Sequence, residues 1–248
     1  MTFEYLVPVL LFCALVGVSV AGAFLHLRLP ARLRDDDTNS TIRLTANLFM
    51  VTTSLLLGLL LNSAKGTFET MDHNVKAYAS GLVQLDRTLY RYGPEAAGLR
   101  RAILDHAQAM GDRPAGMPLA DSAMELEMDR LGDALDALAV PDARRAALAQ
   151  DAQQQFDKLA ELRRTLMEEG SGTIPPPLIL LIAAWLVAIF ASLGYRAPPN
   201  AAVLATLVVA AGLMSFALYL IMDMDAPWSG PIRISHQPLV MAVQQMGQ

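Results

Sequence analysis

The chain has 248 residues, 54% of them hydrophobic and only 17% charged, with a formal net charge of −5. A soluble domain usually carries about 25% charged residues, and here 31 charged side chains lie between Lys65 and Glu169, leaving long charge-free runs on either side. This excludes an ordinary soluble enzyme, a disordered chain and a disulfide scaffold, and the acidic balance argues against a nucleic-acid binder, which needs a basic face.

Four runs are long enough to cross a hydrocarbon core, which takes about 20 apolar residues. They are residues 5–25, 44–64, 174–193 and 201–222, none with a charge in its interior. The first lacks the basic leader of a cleaved signal peptide, so it is expected to be a retained anchor. Its single cysteine, Cys13, cannot form an internal bridge. The implied divisions are 1–64 (two spans and an Arg-rich loop), 65–173 (helical insert), 174–222 (two spans) and 223–248 (interfacial tail). The lipid bilayer is the first partner.

Four spans place both termini and the insert on one side. The two short loops on the other side, 26–43 and 195–200, hold Arg28, Arg32, Arg34, Arg43 and Arg196, whereas the tails offer only Arg233. The positive-inside rule then predicts that the insert and both termini lie outside the cytoplasm. Counting Lys65, Lys76, Arg163 and Arg164, which flank the insert, brings the two sides level.

Within the insert the apolar residues Phe68, Met71, Val75, Tyr78, Leu82, Leu85, Leu89 and Tyr92 step 3, 4, 3, 4, 3, 4, 3. This is a coiled-coil seam. It begins just after the second span with no proline between, which predicts one helix from about residue 44 to 92, broken at Gly93-Pro94. A second helix carries Ala96, Leu99, Ile103 and Met110, followed by a loop at 111–118. A third, about 119–139, carries Met124, Met128, Leu131, Leu135 and Leu138. A fourth has Pro141 in its first turn and ends near Gly170-Ser171-Gly172. The expected class is all-α: a four-span membrane protein with a helical bundle outside the membrane.

No catalytic pattern is present: no phosphate loop, CxxC, HExxH or GxSxG. No catalytic, metal or cofactor residue is therefore assigned, and the chain is not read as an enzyme. His26, His73, His106 and His236 lack ligand spacing. His73, beside Asp72 and one turn from Glu69, is read as a solvated helix face rather than a weak metal site. The same holds for the acidic run Glu125, Glu127, Asp129, Asp133 and Asp136, and for Asp35-Asp36-Asp37, against a cation-binding alternative.

The second span has an uneven face. At 100° per residue, Asn47, Ser54, Gly58, Asn62 and Lys65 fall within about 60° of one line. Two readings stand: a packing face against another helix, or the lining of a polar path between subunits, where hydroxyls and amides replace part of an ion's hydration shell. Small residues at Gly17, Ala21, Ala201, Ala205, Ala211 and Ser215 are read as packing faces. After the fourth span, Asp223, Asp225 and Trp228 fit a span end with an interfacial turn.

The segment Asp223-Met224-Asp225-Ala226-Pro227-Trp228-Ser229-Gly230-Pro231-Ile232-Arg233-Ile234-Ser235 resembles the closing motif of the bacterial bestrophin-like domain family, usually Leu-Asp-hydrophobe-Asp-Arg-Pro-Phe-x-Gly. Gln84-Leu85-Asp86-Arg87-Thr88-Leu89-Tyr90-Arg91-Tyr92-Gly93-Pro94-Glu95 resembles its central segment, and the two-span, insert, two-span layout matches as well. Asp223, Asp225, Pro227, Trp228 and Gly230 are the motif turn. Ala226 stands where the family usually has Arg, and Trp228 where it has Phe. The resemblance implies a bacterial inner-membrane protein, the family's architecture and no catalytic residue. Through bestrophins, it also implies an oligomeric anion channel with the helical region in the cytoplasm, opposite to the charge-based orientation. Two functions are carried forward: a homo-oligomeric channel lined by the second span, and a non-transporting sensor or partner-binding scaffold acting through the bundle.

Overall fold

The computed structural model describes residues 2–28, 36–113, 122–168, 174–198, 200–228 and 230–247. Its elements are α1 (Thr2–Arg28), α2 (Asp36–Tyr92), a short turn of 3-10 helix (Pro94–Ala96), α3 (Ala97–Gly111), α4 (Ser122–Asp136), α5 (Ala143–Glu168), α6 (Pro176–Arg196), α7 (Ala201–Asp225) and α8 (Gln237–Met246). Four of these helices, α1, α2, α6 and α7, are long and apolar enough to cross a membrane. Arg32, Arg34, Asp35, residues 114–118 and the 170–172 linker lie outside the described residues, as do the side chains of Arg28, Asp36, Asp37 and Glu125.

Helix α2 runs unbroken for 57 residues, because nothing between the apolar run and the heptad seam stops it. Gly93 ends it with a φ of 129°, a conformation that favours glycine, and Pro94 follows. The chain divides into two compact units, Met1–Gly66 with Thr173–Asp225 and Thr67–Gly172 with Ala226–Gln248.

The first unit packs α1, α6, α7 and the N-terminal part of α2 around Leu15, Leu60, Ile182, Leu186, Phe190, Ala211 and Leu218. Pro176 and Pro177 open α6, where the missing N–H groups cost nothing. Hydroxyls inside the apolar layer bond back one turn, as Ser19 does to the Leu15 carbonyl at 2.8 Å and Thr52 to that of Leu48 at 2.9 Å. The close face of α1 differs from the expected one. Gly17 and Ala21 are exposed, and a Cβ on Gly17 would meet nothing within 4 Å. Leu11, Leu15, Ser19 and Gly22 carry the contact instead, with a Cβ on Gly22 falling 2.8 Å from the Tyr195 nitrogen. Ala201 and Ala205 are likewise exposed, whereas Ala211 and Ser215 are buried as expected.

The second unit is a helical bundle. Met71, Val75, Tyr78, Leu82, Leu85, Leu89 and Tyr92 are all buried on α2 and meet Leu99, Ile103 and Met110 of α3, Leu131 and Leu135 of α4, and Leu159 of α5. Burying such a side chain contributes about 1.5–3 kcal/mol. Asp86 of α2 accepts two bonds from Arg100 of α3, Nε to Oδ1 at 2.7 Å and Nη2 to Oδ2 at 3.1 Å. The α5 start corrects the sequence expectation: Pro141 lies outside the helix, and Asp142 caps it by accepting the Arg145 N–H at 2.8 Å. The tail differs more. It does more than end a span: Trp228, Ile234, Leu239, Ala242 and Met246 join the core of this unit. Helix α8 packs on α3.

Candidate functional site

The sequence singled out five residues on α2 and five in the closing turn, and the two groups have different surroundings. On α2 the side facing the first unit's core is made by Ala46, Thr53, Leu60 and Ala64, all buried. Phe49, half-buried beside them, stacks on Trp185 with ring centroids 6.3 Å apart. Asn47, Ser54, Gly58, Asn62 and Lys65 are all exposed. At 100° per residue they lie about 130° round the helix from the buried side. Among the described residues, the small and polar stripe is therefore not a packing face.

Along the axis, Asn47 and Asn62 are about 22 Å apart at 1.5 Å per residue. Ser54 and Gly58 fall between them, and Lys65 stands one residue past the apolar run. Leu44 and Val51 share the sector and are also exposed. In hydrocarbon, an amide or hydroxyl without a partner is costly. A row of such groups left uncovered by its own chain calls for water or a second chain. Ser54 also borders a cavity of about 310 Å³ formed with Leu57 and Thr53 of α2, Phe190 of α6 and Met214 of α7.

In the closing turn the carboxylates are buried and hydrogen-bonded. Asp225 Oδ2 accepts the N–H of Ile174 at 3.1 Å, tying the end of α7 to the approach of α6, and Asp223 Oδ1 accepts from the Tyr219 hydroxyl at 3.3 Å. Beyond them, Pro227 accepts the Ile234 N–H at 3.1 Å, and Gly230 holds a φ of 77° that favours glycine. Trp228 packs against His236 with ring centroids 6.4 Å apart. These five motif residues shape a turn. Asp129, Asp133, Asp136 and His73 face solvent, and no group of three or more metal-ligating side chains occurs among the described residues.

One polar cluster escaped sequence inspection. His106 of α3 is fully buried between Tyr78 and Glu127. Its signal was present: Leu99, Ile103, His106 and Met110 step 4, 3, 4, placing a histidine on the apolar face.

Comparison with known proteins bears on the whole chain. A family model described as the Bestrophin-like domain matches residues 13–239. Crystal structures of two single-substitution variants of a bacterial bestrophin homolog from Klebsiella pneumoniae share the fold. Each has a TM-score of 0.70 and covers 97% of this chain and 99% of the homolog, at 13% and 12% sequence identity. A search of curated proteins gives no match.

Proposed function

Because this chain belongs to the bestrophin-like family, we propose that it assembles into a homo-oligomeric membrane channel for anions, with α2 lining the path. The carrying observation is the exposed row Asn47, Ser54, Gly58, Asn62 and Lys65 on a helix whose opposite side is packed. Copies arranged with these rows facing a common axis would give the polar groups water and one another. Hydroxyl and amide donors then replace part of an anion's hydration shell, and a Lys at the helix exit raises the local anion concentration. Such a protein moves ions and makes or breaks no covalent bond, which fits the absence of a catalytic pattern in the sequence. Purified protein in chloride-loaded liposomes should release chloride. No flux from well-folded protein would leave the sensor or scaffold reading in front.

The same reading places the protein in a bacterial inner membrane. Arg43 and Arg196, with the loop arginines beside them in sequence, favour a cytoplasmic location for the short loops and an exported bundle. The family likeness favours the reverse. Alkaline phosphatase is active only after export, so fusions within 111–117 and after Gln248 distinguish the two. Active fusions support the charge-based orientation, and inactive fusions on stably inserted protein reverse it.

A further inference from the structure

Three helices of the bundle bring polar side chains to one buried ring, and a buried arginine on a fourth acts on it through its charge. Tyr78 of α2 and His106 of α3 are 1% and 0% exposed, and Arg163 of α5 is also buried. The Tyr78 hydroxyl lies 3.0 Å from His106 Nε2. On the other side of the ring, Nδ1 lies 3.2 Å from Glu127 Oε2 of α4, whose side chain is 43% exposed and so reaches solvent.

An ionised carboxylate can only accept. The Glu127 contact therefore fixes the proton on Nδ1, which leaves Nε2 to accept from the Tyr78 hydroxyl. The chain is fully directed from Tyr78 through His106 to Glu127, and its Tyr78 step requires an unprotonated Nε2. A second proton could sit only on Nε2, where it would turn the Tyr78 hydroxyl from donor to acceptor and take the ring away as acceptor for the buried hydroxyl hydrogen.

The surroundings of the ring oppose that proton on balance. Burial is the largest effect holding the imidazole below its ordinary value. Glu127 pulls the other way, and the cations Arg163 and Arg113 add to the depression. Helix α8, which also packs on α3, has no titratable side chain, and His236 just before it donates from Nδ1 to the Arg113 carbonyl at 3.3 Å.

We propose that Tyr78, His106 and Glu127 form an acid-released latch in the helical unit, in which proton uptake by His106 removes the acceptor of the buried Tyr78 hydroxyl and loosens α3 and α4 from α2. The latch does not depend on whether the protein conducts ions. In sign, a histidine depressed in the folded state binds its proton more readily when unfolded. Its contribution is complete above the unfolded value of about 6.5 and is lost as the pH falls through that value toward the lower, folded one.

The test is hydrogen–deuterium exchange on the full chain in lipid nanodiscs, corrected for intrinsic rate, together with melting temperature, between pH 7.5 and 5.5. Protection in α3 and α4 should fall by up to about tenfold over this range in the parent, and His106→Gln should flatten that dependence. A flat parent profile, or an equal fall in His106→Gln, would overturn the latch. If His106→Gln does not fold, the ring is read directly by NMR in a chain with His26, His73 and His236 changed to Gln. Titration of that single imidazole below about 6.5 supports the latch, and titration at or above it overturns the proposal.

Discussion

The backbone of Ser19 occupies the place that a side chain on Gly194 would need. Helices α1 and α6 meet there without any intervening side chain. The Ser19 hydroxyl bonds back to the Leu15 carbonyl of its own helix at 2.8 Å and also reaches across to the Phe190 carbonyl at 3.4 Å. Small residues in membrane helices allow this approach, and the gain is van der Waals contact rather than water release.

Gly194→Ala should therefore separate the two helices. The obstacle is backbone, which cannot rotate aside, so the loss should reach or exceed the 1–3 kcal/mol or so typical of overpacking. Gly17→Ala should leave stability unchanged or slightly raised, since its Cβ enters open space. Melting temperatures of both variants in one detergent decide this. Equal losses would mean that α1 packs through the wrong face in this account.

Removing one half of the Asp86–Arg100 pair should be worse than removing both. Asp86 is 6% exposed, and Arg100 is about a third exposed by side chain. Arg100→Ala leaves a buried carboxylate without its two charged bonds. The cost should be about 2 kcal/mol, below the 3–5 of a fully buried pair because water reaches Arg100. Asp86→Leu with Arg100→Leu should recover part of it. Chemical unfolding of the three variants gives the comparison, and a double variant no better than Arg100→Ala would reject it.

The heptad register can be tested directly. Leu82 and Leu85 are 1% exposed, and Gln84 and Arg87 face solvent. Changing both leucines to Asp should unfold the bundle, since each buried carboxylate costs more than the roughly 1.5–3 kcal/mol of leucine burial it replaces. Gln84→Ala with Arg87→Ala should shift the melting temperature little. Similar damage from the two pairs would contradict the register.

The seam was legible because seven regular steps encode the buried side of a helix without reference to any other segment. Trp228 and α8 were not legible for the opposite reason. Helix α8 spans only 10 residues, too few for a period to stand out, and Leu239 and Met246 are buried only through the packing of the bundle around them. The α1 contact was missed through phase: Gly17 and Ala21 form a small-residue pair as good as Ser19 and Gly22, and only the position of α6 selects between them. The stripe on α2 was legible as a pattern. That its own chain leaves it uncovered could be learned only from the packing of α6 and α7.

The stripe gives the last prediction. If α2 lines an ion path, Ser54 faces it and Lys65 stands at its mouth, both being exposed. Lys65→Glu reverses the charge that concentrates anions there, so reversal potentials in bilayers should move toward cation preference while the protein elutes as the parent does. Ser54→Leu replaces a hydroxyl with a larger apolar group and should cut chloride efflux severalfold with assembly intact. If the stripe is instead buried between subunits without a path, the pattern inverts. Ser54→Leu then disturbs the size-exclusion profile, because overpacking at a contact costs about 1–3 kcal/mol, and Lys65→Glu leaves any flux unchanged. Efflux and elution measured together on the parent and both variants separate the two arrangements, since each predicts a response in the assay where the other predicts none.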